Sequence, residues 1–335
     1  MTRYETRPRS LRWSVSVLTS LTTVFALTMT TVPGGSASAA THSAPRVLVP
    51  HTAYFGSRIE ARAGETQSEA FERVESQIGR TFAIDHFYYQ WTSSFPNSAQ
   101  TATVADGRIP FINWKADGNW AAIADGSQDS TIISHADAIK GFGYPVYLSF
   151  HHEPENDLDA FGTATDYAAA FRHIVDAFRA RGVTNVAFVW TMMGWTFNPR
   201  SERDAGSYYP GDAYVDIVGA DGYNWYPMKS GSTWTSFRAI FRDSNAFAIA
   251  HDKPWMVVEF GVQEDPAVPG RKAQWLLDAL STAKSWPSLK GLIYFDVLKD
   301  GHPWVTDSSA SAMKRYRQIA RDPYVNPAFT LSSFR

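Results

Sequence analysis

One pattern recurs along this chain: a short apolar segment typical of a buried strand, followed by a stretch with helical periodicity. The predicted strand segments are residues 47–49, 81–87, 109–114, 146–150, 186–190, 215–219, 254–258 and 289–295. Eight such units over about 290 residues fit a parallel (β/α)8 barrel, which usually takes about 250 residues plus insertions. The predicted fold class is therefore α/β, a single-domain (β/α)8 TIM barrel.

The helical segments support this interpretation. One face of the helix after the fourth strand carries the apolar side chains Tyr167, Phe171, Ile174, Val175 and Phe178. That helix should end at residues 179–182, where cations precede a glycine. A doubly wound open sheet is the alternative. It requires a glycine-rich phosphate loop after its first strand, and residues 50–56 do not provide one.

The first forty residues differ from the rest. Four arginines precede an uncharged run at residues 13–32, and small residues follow at 33–40. These are the parts of a secretory signal peptide, with cleavage predicted after Ala39 or Ala40. We therefore expect residues 1–40 to be removed and residues 41–335 to form the folded domain of a secreted, extracellular protein. An uncleaved membrane anchor is the alternative.

The amino-acid composition excludes several classes of partner and of active site. A formal net charge of -2 without a basic cluster argues against a nucleic-acid or membrane-surface partner, and we expect a monomer. The chain has no Cys, so it has no disulfide, thiolate nucleophile or thiolate metal site. Its 12 Trp, 15 Tyr and 21 Phe exceed the usual needs of a core, so some should stack against flat apolar faces such as those of sugar rings. No cofactor is expected.

Two carboxylates follow apolar strands in this pattern. Glu153 comes after the strand at 146–150, and Glu259 directly follows the strand at 254–258. Active sites of such barrels lie at the carboxyl ends of the strands, so these residues, about three βα units apart, should face each other across the barrel mouth. Paired carboxylates in an aromatic cleft favour glycoside hydrolysis. A retaining enzyme would hold the two carboxyl groups about 5–5.5 Å apart.

The neighbours of each carboxylate indicate its role. Glu153 lies beside His152 in a loop-rich region, which suits a group that exchanges a proton twice per turnover. Glu259 is held at a rigid strand end, which suits the nucleophile, and Tyr223 could donate a hydrogen bond to it from the sixth strand end. For Asp221 and Tyr223, an ordinary Asp-Gly turn is the structural alternative. Glu155 could replace Glu153 as the acid, but behind a proline it is expected to shape the loop.

Three motifs in this order resemble glycoside hydrolase family 26: His152-Glu153, Asp221-Gly222-Tyr223 and Glu259-Phe260-Gly261, together with Tyr209-Pro210-Gly211-Asp212 before the sixth strand. The resemblance spans residues 55–295 and implies a catalytic (β/α)8 domain of the retaining clan A. It implies that Glu153 is the acid/base and Glu259 the nucleophile. It further implies that Tyr223 assists Glu259 and that His152 and Asp221 support or bind the sugar.

The best-known activity of that family is endo-β-1,4-mannanase, so mannan is the expected substrate. Residues 154–159 depart from the Asn-Gly and aromatic residues that many of its mannanases carry after the His-Glu pair. β-1,3-Xylan and mixed-linkage β-glucan therefore stay open as substrates. Trp114, Trp195 and Trp225 are the predicted sugar-stacking residues, with core packing as the alternative.

Two other classes of function compete with this prediction. A metallohydrolase barrel usually pairs two histidines at an early strand end, whereas His51 and His86 stand alone, so no catalytic metal is predicted. A serine hydrolase would carry a Gly-x-Ser-x-Gly elbow, which the sequence lacks. A non-catalytic sugar-binding barrel is the remaining alternative, and the presence of both Glu153 and Glu259 argues against it.

Overall fold

A computed structural model of the chain describes residues 44–299 and 302–331. Eight parallel strands close into a barrel in chain order, with the last strand paired to the first. They are β1 (Tyr54–Ile59), β2 (Ile84–Gln90), β3 (Ile109–Lys115), β4 (Val146–Phe150), β5 (Val186–Met193), β6 (Ile217–Asn224), β7 (Trp255–Val262) and β8 (Leu289–Asp296). The predicted (β/α)8 barrel is confirmed.

Helices surround this barrel. They are α1 (Gln67–Ile78), α2 (Ser98–Ala105), α3 (Trp120–Ala124), α4 (Asp129–Phe142), α5 (Leu158–Phe161), α6 (Ala164–Ala180), α7 (Ala205–Tyr208), α8 (Phe237–Ala250), α9 (Arg271–Lys284) and α10 (Ala310–Ala320). A small hairpin of β9 (Leu298–Lys299) and β10 (His302–Pro303) follows β8. Within the described part of the chain, no helix has both the length and the apolar character that crossing a membrane requires. The predicted signal peptide at 1–40 lies outside the described residues.

Helix α6 shows how local sequence produces these elements. Thr163 caps its first turn by accepting a hydrogen bond from Asp166 N–H, and the Asp166 side chain accepts from Thr163 N–H in return. The helix ends where predicted, and Gly182 follows with a φ of 67°. Its predicted apolar face is buried. This face packs into the apolar layer between the barrel and the helices, which is the larger part of the core.

The first strand is not where the sequence pattern predicted it. Residues 46–48 form a 3-10 helix, and β1 begins at Tyr54. The apolar alternation of β1 is interrupted by Gly56 in the middle of the strand. A side chain does not fit there, because an added Cβ would lie 2.6 Å from Ile84 Cβ. Leu48 instead packs into the lower interior of the barrel, where its carbonyl accepts a hydrogen bond from the Tyr147 hydroxyl. The prediction of a strand at 47–49 was therefore wrong.

The barrel interior changes character along its axis. Apolar side chains such as Phe111, Ile217 and Met256 fill the amino-terminal half. Towards the carboxyl ends of the strands, buried polar side chains replace them: His86, Asn113, Ser149, Thr191 and Asp221. Some bond to one another, as in the 3.0 Å contact from Ser149 Oγ to Thr191 Oγ1. This polar layer lies beneath the open end of the barrel.

Candidate active site

A cleft of about 760 Å³ opens at the carboxyl ends of the strands. Its lining residues are Arg58, Tyr88, His152, Glu153, Asn156, Met193, Trp195, Tyr223, Trp225, Lys229, Glu259, Phe295, Val297 and Trp304. Six residues predicted from the sequence are among them: Glu153, Glu259, His152, Tyr223, Trp195 and Trp225. Asp221 and Trp114 are not part of this lining. The strand ends therefore bring most of the predicted site together.

Glu259 owes its inward direction to an irregularity in β7. Met256 and Val258 point into the barrel, so simple alternation would direct Glu259 outward. The pairing with β6 shifts at this point, because Ala220 pairs with Val257 while Asp221 pairs with Glu259. One residue of β7 is thus skipped, as in a β-bulge, and such bulges re-aim side chains next to active sites. Glu259 consequently lies beside Asp221 inside the barrel mouth.

Both carboxylate oxygens of Glu259 accept hydrogen bonds from tyrosines. The Tyr88 hydroxyl donates to Oε1 at 2.5 Å, and the Tyr223 hydroxyl donates to Oε2. Burial, together with the charge of Glu259, raises the pKa of Tyr88 and of Tyr223 well above the usual range. Both phenols therefore keep their protons and remain donors. The predicted contact between Tyr223 and Glu259 is confirmed.

Glu153 lies beyond β4 on a loop that bends sharply. Its backbone is left-handed, with a φ of 54°, and its N–H donates to Thr191 O at 3.1 Å. Oε2 accepts a hydrogen bond from Asn156 Nδ2 at 3.2 Å. The side chain is half-buried and reaches the cleft, where His152 also lies with its ring 5.4 Å from the ring of Tyr88. Glu153 is thus the wetter of the two predicted catalytic carboxylates.

Glu153, Glu259 and Asp221 form one cluster. An oxygen of each lies within 4.8 Å of an oxygen of each of the others. Asp221 is fully buried, and burial followed by the charges of Glu259 and Glu153 raises its pKa well above the usual range. The spacing would admit a cation. Burial disfavours the ionised form of Asp221 that a cation would need, because ligating carboxyls must be deprotonated.

Asp221 is therefore placed differently from the expectation that it binds sugar directly. It does not line the cleft, and its carboxyl lies behind Glu259 in the buried polar layer. Burial and the neighbouring carboxylates raise its pKa and thus disfavour its ionised form. Asp221 lies close to Glu259 and Glu153 but does not reach the cleft.

The three predicted tryptophans separate into two groups. Trp195 and Trp225 are 47% and 39% exposed and line the cleft, so they can stack on sugar rings. Trp114 is fully buried against the helix layer, with its ring 4.2 Å from that of Trp91 and its Nε1–H donating to Trp91 O. The reason is alternation along β3, where Asn113 points into the barrel and Trp114 points outward. The prediction that Trp114 binds sugar was wrong.

Sequence reasoning missed several residues of the cleft. Tyr88 lies two positions after His86 on β2 and therefore shares its face, but the predicted strand ended at residue 87. Arg58 belongs to β1, which was misplaced. Trp304 comes from the segment after β10, and its ring lies 4.9 Å from that of Tyr223. An extension of the predicted β2 by one residue would have found Tyr88, whereas no local pattern indicated Trp304.

Comparison with known proteins places the chain in a family. A profile described as Glycosyl hydrolase family 26 matches residues 126–255, a range that includes Glu153 and Tyr223 and stops four residues before Glu259. Endoglucanase H of Acetivibrio thermocellus is 32% identical over 291 residues, which cover 81% of this chain and 31% of that protein. The chain thus spans about a third of the length of that relative.

Solved structures share the fold. A GH26 β-mannanase from Bacteroides ovatus matches with a TM-score of 0.61 at 16% identity, covering 83% of this chain and 92% of that chain. The catalytic domain of a GH26 endo-β-1,4-mannanase from Bacillus sp. JAMB-750 matches with a TM-score of 0.59 at 16% identity, covering 85% of this chain and 92% of that chain. At this identity the likeness concerns the barrel alone.

Proposed function

We propose that this chain, which belongs to glycoside hydrolase family 26, hydrolyses internal β-glycosidic bonds of a polysaccharide with retention of configuration. The observation that carries the proposal is the approach of Glu153 and Glu259, whose nearest oxygens lie within 4.8 Å of each other at the base of an aromatic cleft. That approach fits the separation of about 5–5.5 Å in retaining enzymes better than the 6.5–9.5 Å of inverting enzymes.

The two carboxyls take different roles in this mechanism. Glu259 attacks the anomeric carbon while protonated Glu153 gives its proton to the leaving glycosidic oxygen, and a glycosyl ester forms on Glu259. Glu153, now ionised, then takes a proton from water as the water attacks the same carbon and releases Glu259. The hydrogen bonds from Tyr88 and Tyr223 suit Glu259 to the ionised role. The partial exposure of Glu153 suits it to proton exchange.

A β-glucan is the substrate we favour over mannan. The relative at 32% identity is named an endoglucanase, whereas the mannanases are only 14–18% identical and support the fold alone. Mannan, expected from the sequence, remains the second candidate because the shared family includes those mannanases. We further propose that residues 1–40 direct secretion and that the domain acts outside the cell as a monomer.

Product analysis tests this proposal. The purified protein would be incubated with lichenan, barley β-glucan, mannan, glucomannan and β-1,3-xylan, and the anomer formed first would be followed by proton NMR. We expect rapid release of β-configured oligosaccharides from the glucans. Release of the α-anomer would contradict retention of configuration. Hydrolysis of mannan alone would contradict the proposal that a β-glucan is the substrate. The Glu259→Ala variant should lose hydrolysis while still binding the polysaccharide in affinity electrophoresis.

A further inference from the structure

The loop that carries Glu153 is held in a conformation that its residues do not favour. His151 and Glu153 have φ values of 43° and 54°, in the left-handed region that side chains with a Cβ avoid. Such residues persist where surrounding contacts over-determine them. The direction of the Glu153 carboxyl therefore depends on contacts around this loop.

One backbone N–H of the neighbouring strand β5 lacks its usual ladder acceptor at this point. Glu153 N–H donates to Thr191 O at 3.1 Å, as if β4 continued its ladder with β5. In a parallel ladder, the carbonyl of the same residue would accept from Met193 N–H, two residues further along β5. The left-handed turn directs the Glu153 carbonyl elsewhere, and it accepts from Asn156 N–H at 3.1 Å. Met193 N–H thus needs another acceptor.

Glu155 supplies that acceptor. Its Oε1 accepts from Met193 N–H at 2.8 Å, and its side chain is 0% exposed. Its backbone carbonyl accepts from Arg203 Nη1 at 2.5 Å, which ties the same residue to the segment after β5. Its Oε2 has no hydrogen-bond partner within residues 44–299 and 302–331. Burial raises the pKa of Glu155 to about 7, since only part of its charge is compensated.

We propose that Glu155 is a positioning residue for Glu153. Its side-chain oxygen takes the hydrogen bond that the Glu153 carbonyl gives up, and it thereby holds Glu153 in the left-handed conformation that directs its carboxyl towards Glu259. The requirement is for an acceptor oxygen rather than a negative charge, because the partner is a neutral backbone N–H. This inference rests on the proposed function for the role of Glu153, but its structural part can be tested without any activity.

Two variants separate the acceptor from the charge. Glu155→Gln keeps an oxygen for Met193 N–H and removes the charge, whereas Glu155→Met has similar length, suits an apolar environment and lacks a strong acceptor. In crystal structures, we expect Glu153 to keep its positive φ in Glu155→Gln. In Glu155→Met, we expect it to leave that region and its carboxyl to move away from Glu259. An unchanged Glu153 in Glu155→Met would overturn the proposal, and if that variant does not fold, a displaced Glu153 in Glu155→Gln would do so.

Kinetics on two substrates distinguish positioning from general damage. Lichenan needs a proton for its leaving oxygen, whereas the dinitrophenolate of a dinitrophenyl β-cellobioside leaves without one. For Glu155→Met we expect kcat/KM to fall roughly 100-fold on lichenan and less than about 10-fold on the aryl glycoside. For Glu155→Gln we expect both values to stay within about threefold of the wild type.

Each contrary result is informative. Equal losses on both substrates in Glu155→Met would reduce Glu155 to a structural role, and a loss in Glu155→Gln as large as in Glu155→Met would show that the charge matters. Either result would overturn the proposal. A wild-type protein that cleaves neither substrate would contradict the proposed function instead, and the crystal structures would still decide whether Glu155 positions Glu153.

Asp85 offers a matched control. It is another buried carboxyl on a strand of the barrel, with one hydrogen bond, from Thr103 Oγ1 at 2.8 Å, and burial raises its pKa to about 7. It lies on β2 and makes no hydrogen bond to the loop at 151–157. Asp85→Leu should therefore change kcat/KM by the same factor on both substrates. A larger loss of kcat/KM on lichenan than on the aryl glycoside in Asp85→Leu would show that the difference between substrates follows from the loss of any buried carboxyl. That result would overturn the proposal.

Discussion

Tyr88 donates a hydrogen bond to Glu259 at 2.5 Å, although the two residues are 171 positions apart and lie on strands three steps apart around the barrel. Together with Tyr223, it fixes both oxygens of that carboxylate. Hydrogen bonds donated to a carboxylate favour its ionised form and restrict its rotation. In the proposed mechanism, these two hydrogen bonds hold Glu259 in the state and direction that attack on an anomeric carbon requires.

The hydroxyl group of Tyr88 can be removed with little change in the shape of the side chain. We expect Tyr88→Phe to lower kcat/KM roughly 10- to 100-fold, since a hydrogen bond to a charged group contributes about 1.5–3 kcal/mol. The acidic limb of the kcat/KM profile should also move to higher pH. Tyr89→Phe is the control, because the Tyr89 hydroxyl bonds to Asn97 and Gln100 instead. Equal effects of the two variants would argue against the contact with Glu259.

Trp195 and Trp114 should respond in opposite ways to truncation. Trp195→Ala should raise KM for a β-glucan roughly fivefold and leave the unfolding midpoint unchanged, because the ring is exposed in the cleft. Trp114→Ala should lower the free energy of unfolding by about 3–5 kcal/mol and leave KM unchanged, because the ring is core. Urea unfolding and steady-state kinetics measure both. A raised KM in Trp114→Ala would restore its predicted role in binding.

The contribution of the buried carboxyls of Glu155 and Asp85 to stability should fall between about pH 4 and pH 7. Burial raises the pKa of Glu155 and of Asp85 to about 7, so the folded protein binds protons that the unfolded chain, with carboxyl pKa values near 4, has released. This contribution is fully present below about pH 4 and is lost as pH rises through 7. Glu155→Gln removes the pH-dependent contribution of Glu155. The free energy of unfolding of this variant, relative to that of the wild type, should therefore rise by on the order of 3 kcal/mol across this range. A constant difference in urea midpoint from pH 4 to 7.5 would contradict this.

The parts of the structure that follow from periodicity were predictable. The bounds of β4 coincide with the predicted segment 146–150, and the apolar face of α6 is buried as expected. Glu153 and Glu259 were expected to meet at the barrel mouth because each follows a predicted apolar strand, and both line the cleft. Each of these inferences needs only local alternation or helical spacing, which hydrophobic burial imposes directly on the sequence.

The parts that depend on contacts between distant segments were not predictable. The inward direction of Glu259 depends on the skipped residue in its pairing with β6, which no local pattern shows. β1 was missed because Gly56 is dictated by the closeness of Ile84 on the next strand. Trp114 and Trp195 both follow apolar runs, but Trp114 lies within β3 and points outward, whereas Trp195 lies in a 3-10 helix after β5 (Gly194–Phe197) and reaches the cleft.

Trapping of the covalent intermediate tests the central claim most directly. A dinitrophenyl 2-deoxy-2-fluoro-β-cellobioside slows the release of a glycosyl ester more than its formation, so the sugar should accumulate on the nucleophile. Digestion and mass spectrometry of the labelled protein should place the added fluorosugar on Glu259. A label on Glu153 or on another residue, or turnover to the inverted product without any label, would contradict the account.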